Sequence, residues 1–110
     1  MPATPELINW QLLADADAVA TYATRIILQA ADSVIRERGV FRLVLAGGRT
    51  PGKVYRQLAA SQADWNHWEL YYGDERCLPP DDAERNSQMA ADAWLSRGQI
   101  PAGQIHVIPA

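Results

Sequence analysis

Val40-Phe41-Arg42-Leu43-Val44-Leu45-Ala46-Gly47-Gly48-Arg49-Thr50-Pro51 reads as a strand, a glycine turn and the opening of a helix. Val40 to Ala46 is short and rich in branched apolar residues, the pattern of a strand buried on both faces in a parallel sheet. Thr50 is placed to cap the helix that follows and Pro51 to occupy its first turn, where a missing N–H costs nothing. Val54, Tyr55, Leu58 and Ala59 then give that helix one apolar face.

The same alternation extends in both directions. Upstream, Val19, Tyr22, Ala23, Ile26, Ile27, Ala30, Val34 and Ile35 recur at three- and four-residue steps over Asp17 to Arg38, which predicts an amphipathic helix. Asp15 and Asp17 suit its first turn and Gly39 its stop. Downstream, Trp68 to Gly73 is a second strand, followed by a polar, proline-rich loop from Asp74 to about Arg85. Met89, Ala90, Ala93, Trp94 and Leu95 mark a third helix, and Ile105 to Ile108 a last strand. Leu7 to Leu13 is a further strand candidate, weakened by Pro5. Strands alternating with helices predict an α/β fold with a mostly parallel sheet flanked by helices. The absence of a repeat or a Ser/Gly linker makes residues 1–110 a single unit.

The bulk numbers exclude several classes of function. With 48% hydrophobic and 21% charged residues the chain is globular rather than disordered. A net charge of −3 gives no general attraction for nucleic acid. No apolar run reaches membrane-spanning length, so no membrane partner is expected. The single cysteine, Cys77, rules out an internal disulfide framework, which makes the cytoplasm the default compartment. Cys77 has no evident base for a nucleophilic role and is read as structural. Trp10, Trp65, Trp68 and Trp94 are read as core or interface aromatics, since no basic residues interleave with them.

In a parallel sheet, ligands gather where strands end and loops lead into helices. Two such loops carry unusual residues. In the first, Gly47 and Gly48 let the backbone approach a ligand, a helix start offers amides and a positive dipole end, and Arg49 and Thr50 add donors. These features suit a phosphate monoester, although a tight turn using glycine for geometry explains the loop equally well. It is neither a Walker A loop nor a dinucleotide fingerprint. In the second, Asp74-Glu75-Arg76 follows directly on an apolar strand. Asp74 is placed for proton transfer or orientation and Arg76 to reach the same anion. A solvated turn with a local ion pair is the plainer alternative.

Taken together, the two loops resemble a known family. Phe41 to Pro51 is similar to the first signature of the 6-phosphogluconolactonases and the related glucosamine-6-phosphate isomerase/deaminases, and Trp68 to Pro80 resembles their second. Asp82-Ala83-Glu84-Arg85-Asn86 falls at the family's acidic turn, and Ile100-Pro101 with Ile105-His106 at its next connection. Arg76 favours the lactonase branch, because the deaminases usually carry tyrosine there. Ala46 and Arg85 stand where the family usually has serine; Arg85 either adds charge to the rim or faces solvent.

The resemblance implies a Rossmann-like three-layer sandwich, here incomplete, and hydrolysis of 6-phosphogluconolactone. It implies a phosphate cradle of Gly47, Gly48, Arg49 and Thr50, a second cation in Arg76, and an active-site carboxylate in Asp74. The partner is a small sugar phosphate, with no metal or organic cofactor. The family's Gly-His-Thr segment, which carries the proposed general base, does not occur in this sequence, and His106 is read as a sheet residue rather than its replacement. The chain is therefore expected to supply the phosphate-binding half. The alternatives are an inactive phosphosugar-binding module and the isomerase/deaminase branch. An exposed sheet edge is expected to promote self-association.

Overall fold

The structure, a computed structural model, describes residues 10–109. Its elements alternate as the sequence implies: α1 (Ala16–Arg38), β1 (Phe41–Leu45), α2 (Arg49–Ala59), β2 (Trp68–Tyr72), α3 (Asn86–Ala93) and β3 (Ile105–His106). The strands form one parallel sheet in the order β1-β2-β3, with Phe41 opposite Trp68, Leu45 opposite Tyr72 and Leu70 opposite Ile105. An α/β fold with a parallel sheet flanked by helices is what is found.

Each boundary has a local cause. Asp15 caps α1 by accepting the Ala18 amide at 2.8 Å, and Gly39 ends it in a left-handed conformation at φ 81°. The α1 stripe is rotated from its predicted centre. Ala20, Thr24 and Ala31 are its buried residues, whereas Val19 and Ile26 are exposed. Ala23, Ile27, Ala30, Val34 and Ile35 of the predicted stripe still pack against the core from partly buried positions, so the stripe is shifted rather than lost. Of the strand candidate near the N-terminus, Leu7 to Asn9 lie outside the described residues, and Trp10 to Leu13 form no strand. The last strand stops at His106 rather than Ile108, and α3 gives way after Ala93 to a short 3₁₀ turn at Leu95–Arg97.

The core lies on one side of the sheet. Phe41, Leu45, Trp68, Leu70 and Tyr72 pack with Val54, Tyr55 and Leu58 of α2, Ala20 and Ala31 of α1, and Ala90 of α3. Trp68 and Trp94, both fully buried, meet edge to face at 6.2 Å, and Trp65 packs on both. Burying side chains of this size contributes about 2–3 kcal/mol each, so three of the four tryptophans belong to the core, as predicted; Trp10 is exposed. The opposite face carries Arg42, Val44, Glu69, Tyr71 and His106, and there Val44 is 62% exposed. The expectation that β1 is buried on both faces is thus corrected. Arg42 and Val44 share the open face, because side chains two apart on a strand point the same way.

Candidate functional site

Parallel pairing ends β1 and β2 side by side, and the Gly73 amide extends the ladder by donating to the Leu45 carbonyl at 3.1 Å. The chain therefore leaves one edge of the sheet twice, through Ala46–Gly48 into α2 and through Asp74–Arg85 into α3.

Ala46 lies just beyond the ladder, where its backbone groups need partners. The Tyr55 hydroxyl supplies both, accepting from the Ala46 amide at 2.8 Å and donating to its carbonyl at 2.7 Å. Burial pushes the Tyr55 phenol up, against a smaller opposing effect of its hydrogen bond to Ala46, so it remains a protonated donor. Sequence periodicity assigned Tyr55 only to the apolar face of α2; that its tip ties down the loop is a tertiary fact. Gly48 follows with φ 113°, a backbone region that disfavours residues with a Cβ. Gly48 is also the residue from which α2 begins, at Arg49, so the helix starts earlier than a Thr50 cap implies. Thr50 and Pro51 lie inside the first turn, where amides lack helical acceptors and proline is tolerated.

The second loop is held from within. Glu75, whose side chain is 1% exposed, accepts the amides of Asn86 at 2.5 Å, Ser87 at 2.8 Å and Arg76 at 2.8 Å. Burial opposes its ionisation. Hydrogen bonds from the Arg76 amide, the Ser87 side chain and the amides of Ser87 and Asn86 more than offset that and hold the carboxyl down to about 2. Arg85 completes the arrangement. Its guanidinium lies 3.4 Å from Glu75 and donates to the carbonyls of Leu78 at 3.0 Å and Ile108 at 2.7 Å. It is only 4% exposed, so neither a rim charge nor a solvated side chain describes it; a buried arginine needs these acceptors. Its burial leaves no mark in the sequence, because the acceptors are main-chain carbonyls 7 and 23 positions away.

Asn86 joins the two loops. Its Nδ2 donates to the Asp74 carbonyl and to Asp74 Oδ1, both at 3.2 Å, while its amide oxygen packs against Gly47. In the sequence Asn86 stands out only as the last residue of the acidic turn Asp82–Asn86.

Above these loops opens a cavity of about 520 Å³ between the start of α2 and the Asp74–Asn86 loop. Gly48, Arg49 and Arg76 line it, with Lys53, Arg56, Glu84, Asn86 and Met89. Gly47 lies beneath, against Asn86, and Asp74 is tied to the rim through the same asparagine. Thr50 instead lines an apolar cleft with Leu43, Val44 and Val54. Lys53 is paired with Asp17 at 2.6 Å, whereas Arg49, Arg56 and Arg76 have no carboxylate partner among the described residues. Guanidiniums without a carboxylate partner beside the positive end of a helix favour an anion here over a cation or an apolar group. His67 pairs with Asp64, and His106 lies 2.7 Å from Glu69 and stacks on Tyr71; neither lines the cavity. Cys77 is exposed.

The profile of the glucosamine-6-phosphate isomerases/6-phosphogluconolactonase family matches residues 14–110. The chain belongs to this family. Among its relatives, a 6-phosphogluconolactonase of Nostoc sp. is 37% identical over 99 residues, which is 90% of this chain and 41% of that protein. One from Synechocystis sp. is 36% identical over 98% of this chain and 42% of the relative. The crystal structure of 6-phosphogluconolactonase from Thermotoga maritima superposes with a TM-score of 0.81 at 32% identity, covering 89% of this chain and 44% of that one. A monomeric glucosamine-6-phosphate deaminase shares the fold at a TM-score of 0.70 and 23% identity. The chain thus spans about two fifths of the length of the curated relatives it matches. Both loops lie within the matched region. No helix among the described residues is long and apolar enough to cross a membrane.

Proposed function

We propose that this chain is the phosphate-binding part of a 6-phosphogluconolactonase, which hydrolyses 6-phospho-D-glucono-1,5-lactone to 6-phosphogluconate in the oxidative pentose phosphate pathway of the cytoplasm. The observation that carries this reading is the pair of unpartnered guanidiniums, Arg49 and Arg76, at the open start of α2, in a chain whose relatives are named for that lactone. Gly47 and Gly48 shape the cradle, Arg49 and Arg76 grip the phosphate, and Thr50 contributes its backbone amide from the first turn. Clamping a phosphate remote from the reacting carbon orients the lactone carbonyl. Water then adds to that carbonyl, the ring C–O bond breaks, and the ring oxygen takes up a proton as the carboxylate is released. Asp74, held by Asn86 where β2 ends, orients the group that deprotonates the water.

A non-catalytic phosphosugar-binding module is the second reading. It is favoured by the position of both histidines away from the cavity. Acid release from freshly made lactone, followed with this chain and without it, separates the two. A rate above the spontaneous background that falls with Asp74→Asn supports hydrolysis by the chain. Background rates with retained binding of 6-phosphogluconate support the module. If 6-phosphogluconate binds no more weakly to Arg49→Ala than to the parent, the phosphate cradle is wrong.

A further inference from the structure

Four cations line the cavity, and they are not equivalent. Lys53 is matched by Asp17 at 2.6 Å, while Arg49 and Arg76 are the proposed phosphate ligands. Arg56 remains, one turn beyond Gly52 on α2. Its Nη1 lies 3.7 Å from where a Cβ on Gly52 would stand, so its guanidinium folds back over the first turn of the helix. Gly52 is buried and has no side chain to keep it away. No carboxylate pairs with Arg56 among the described residues. Asp17 of α1 feels Arg56 only as the weakest influence on its carboxyl, which Lys53 governs. Asp92 of α3, across a neighbouring cleft, accepts from Gln88. The one acid lining the cavity among the described residues is Glu84.

We infer that Arg56 is a third guanidinium of the anion site and that it selects a doubly charged phosphate monoester over a singly charged anion of similar shape. This rests on the phosphate reading above and deepens it. Arg49 and Arg76 set against Glu84 leave one net positive charge, which matches a monoanion. Arg56 raises that to two, which matches the dianion that a phosphate monoester becomes above its second pKa of about 6. Guanidinium contacts to phosphate are charge-assisted and directional, and the helix start adds the same sign of field.

Calorimetric titration of the chain with glucose 6-phosphate and glucose 6-sulfate, from acidic to mildly alkaline pH, tests this. The parent is expected to bind the phosphate more tightly as pH rises through the ligand's second pKa and to bind the sulfate equally at every pH. Arg56→Gln should lose that rise and weaken phosphate binding about tenfold above pH 7, with sulfate binding nearly unchanged. Arg49→Ala should weaken both ligands. Thermal melts of each variant show that the fold is kept. If Arg56→Gln binds like the parent while Arg49→Ala does not, the role of Arg56 is overturned and the phosphate site stands. An equal loss for both ligands overturns charge selection. If the parent binds neither ligand, the phosphate reading fails and takes the Arg56 inference with it.

Discussion

A methyl group on Gly47 would overlap Asn86 Oδ1 and come within 2.9 Å of Asn86 Cγ, and Asn86 is not free to move. Its Nδ2 is held by two oxygens of Asp74, and its backbone amide by Glu75. The two adjacent glycines therefore serve different ends. Gly48 needs its left-handed φ of 113°, whereas Gly47 has no positive φ and needs only the missing side chain. We expect Gly47→Ala to lower stability by about 1–3 kcal/mol in urea denaturation, as overpacking at a fixed neighbour does. Gly103→Ala, where a Cβ would meet nothing within 4 Å, should stay within about 0.5 kcal/mol. Equal stability of the two variants would show that Asn86 yields. The glycine pair was visible in the sequence, and so was its fitness for an anion. The separate reasons were not, because one of them lies 39 positions away in Asn86.

Among the elements, α3 is the one that depends most on a distant residue. It spans eight residues, and its N-cap, Arg85, makes no side-chain cap bond. The Glu75 carboxylate takes over that task, accepting the first two amides of the helix and placing a negative charge at its positive end. Its folded-state pKa of about 2 lies below the ordinary value of 4.5. The folded state thus favours the ionised form, and the resulting stability is present in full above about pH 4.5 and is lost as pH falls toward 2. That contribution is on the order of 3 kcal/mol. Glu75→Gln should be less stable than the parent by about that amount at neutral pH, and its acid limb should be flatter between pH 4.5 and 2. Parallel curves of stability against pH for the two proteins would remove Glu75 from this role. The elements themselves were largely legible, since their apolar periodicities differ and Gly39, Gly48 and Pro51 punctuate them. Burial on both faces was inferred for β1 from a run of branched residues, yet Arg42 in its middle marks the open face. The polar loop concealed its own scaffold. Glu75 and Arg85 look like solvent-facing charges until the fold buries them against each other and against main-chain groups.

At the scale of the whole molecule, α1, α2 and α3 all join the core on one side of the sheet. The other side presents Arg42, Val44, Glu69, Tyr71 and His106, with Val44 more than half exposed. Among the described residues only β2 is paired along both edges; β1 has one free edge, and β3 is two residues long. An apolar residue on an open face, in a strand with one free edge, invites a second sheet or a second copy to cover it. We therefore expect the average mass in sedimentation velocity to rise with protein concentration, and the thermal midpoint to rise with it, because association favours the folded state by mass action. Val44→Lys places a charge where such a contact would have to bury it, so it should shift the population to monomer. Val44 is 62% exposed, so the same change should alter monomer stability by no more than about 0.5 kcal/mol. That separation is what makes the variant informative, since lost association without lost stability points to the face itself rather than to damage beneath it. A parent that sediments as a monomer at every concentration, with one sharp and concentration-independent transition, would mean that the mixed charges of Arg42, Glu69 and His106 already keep this face soluble.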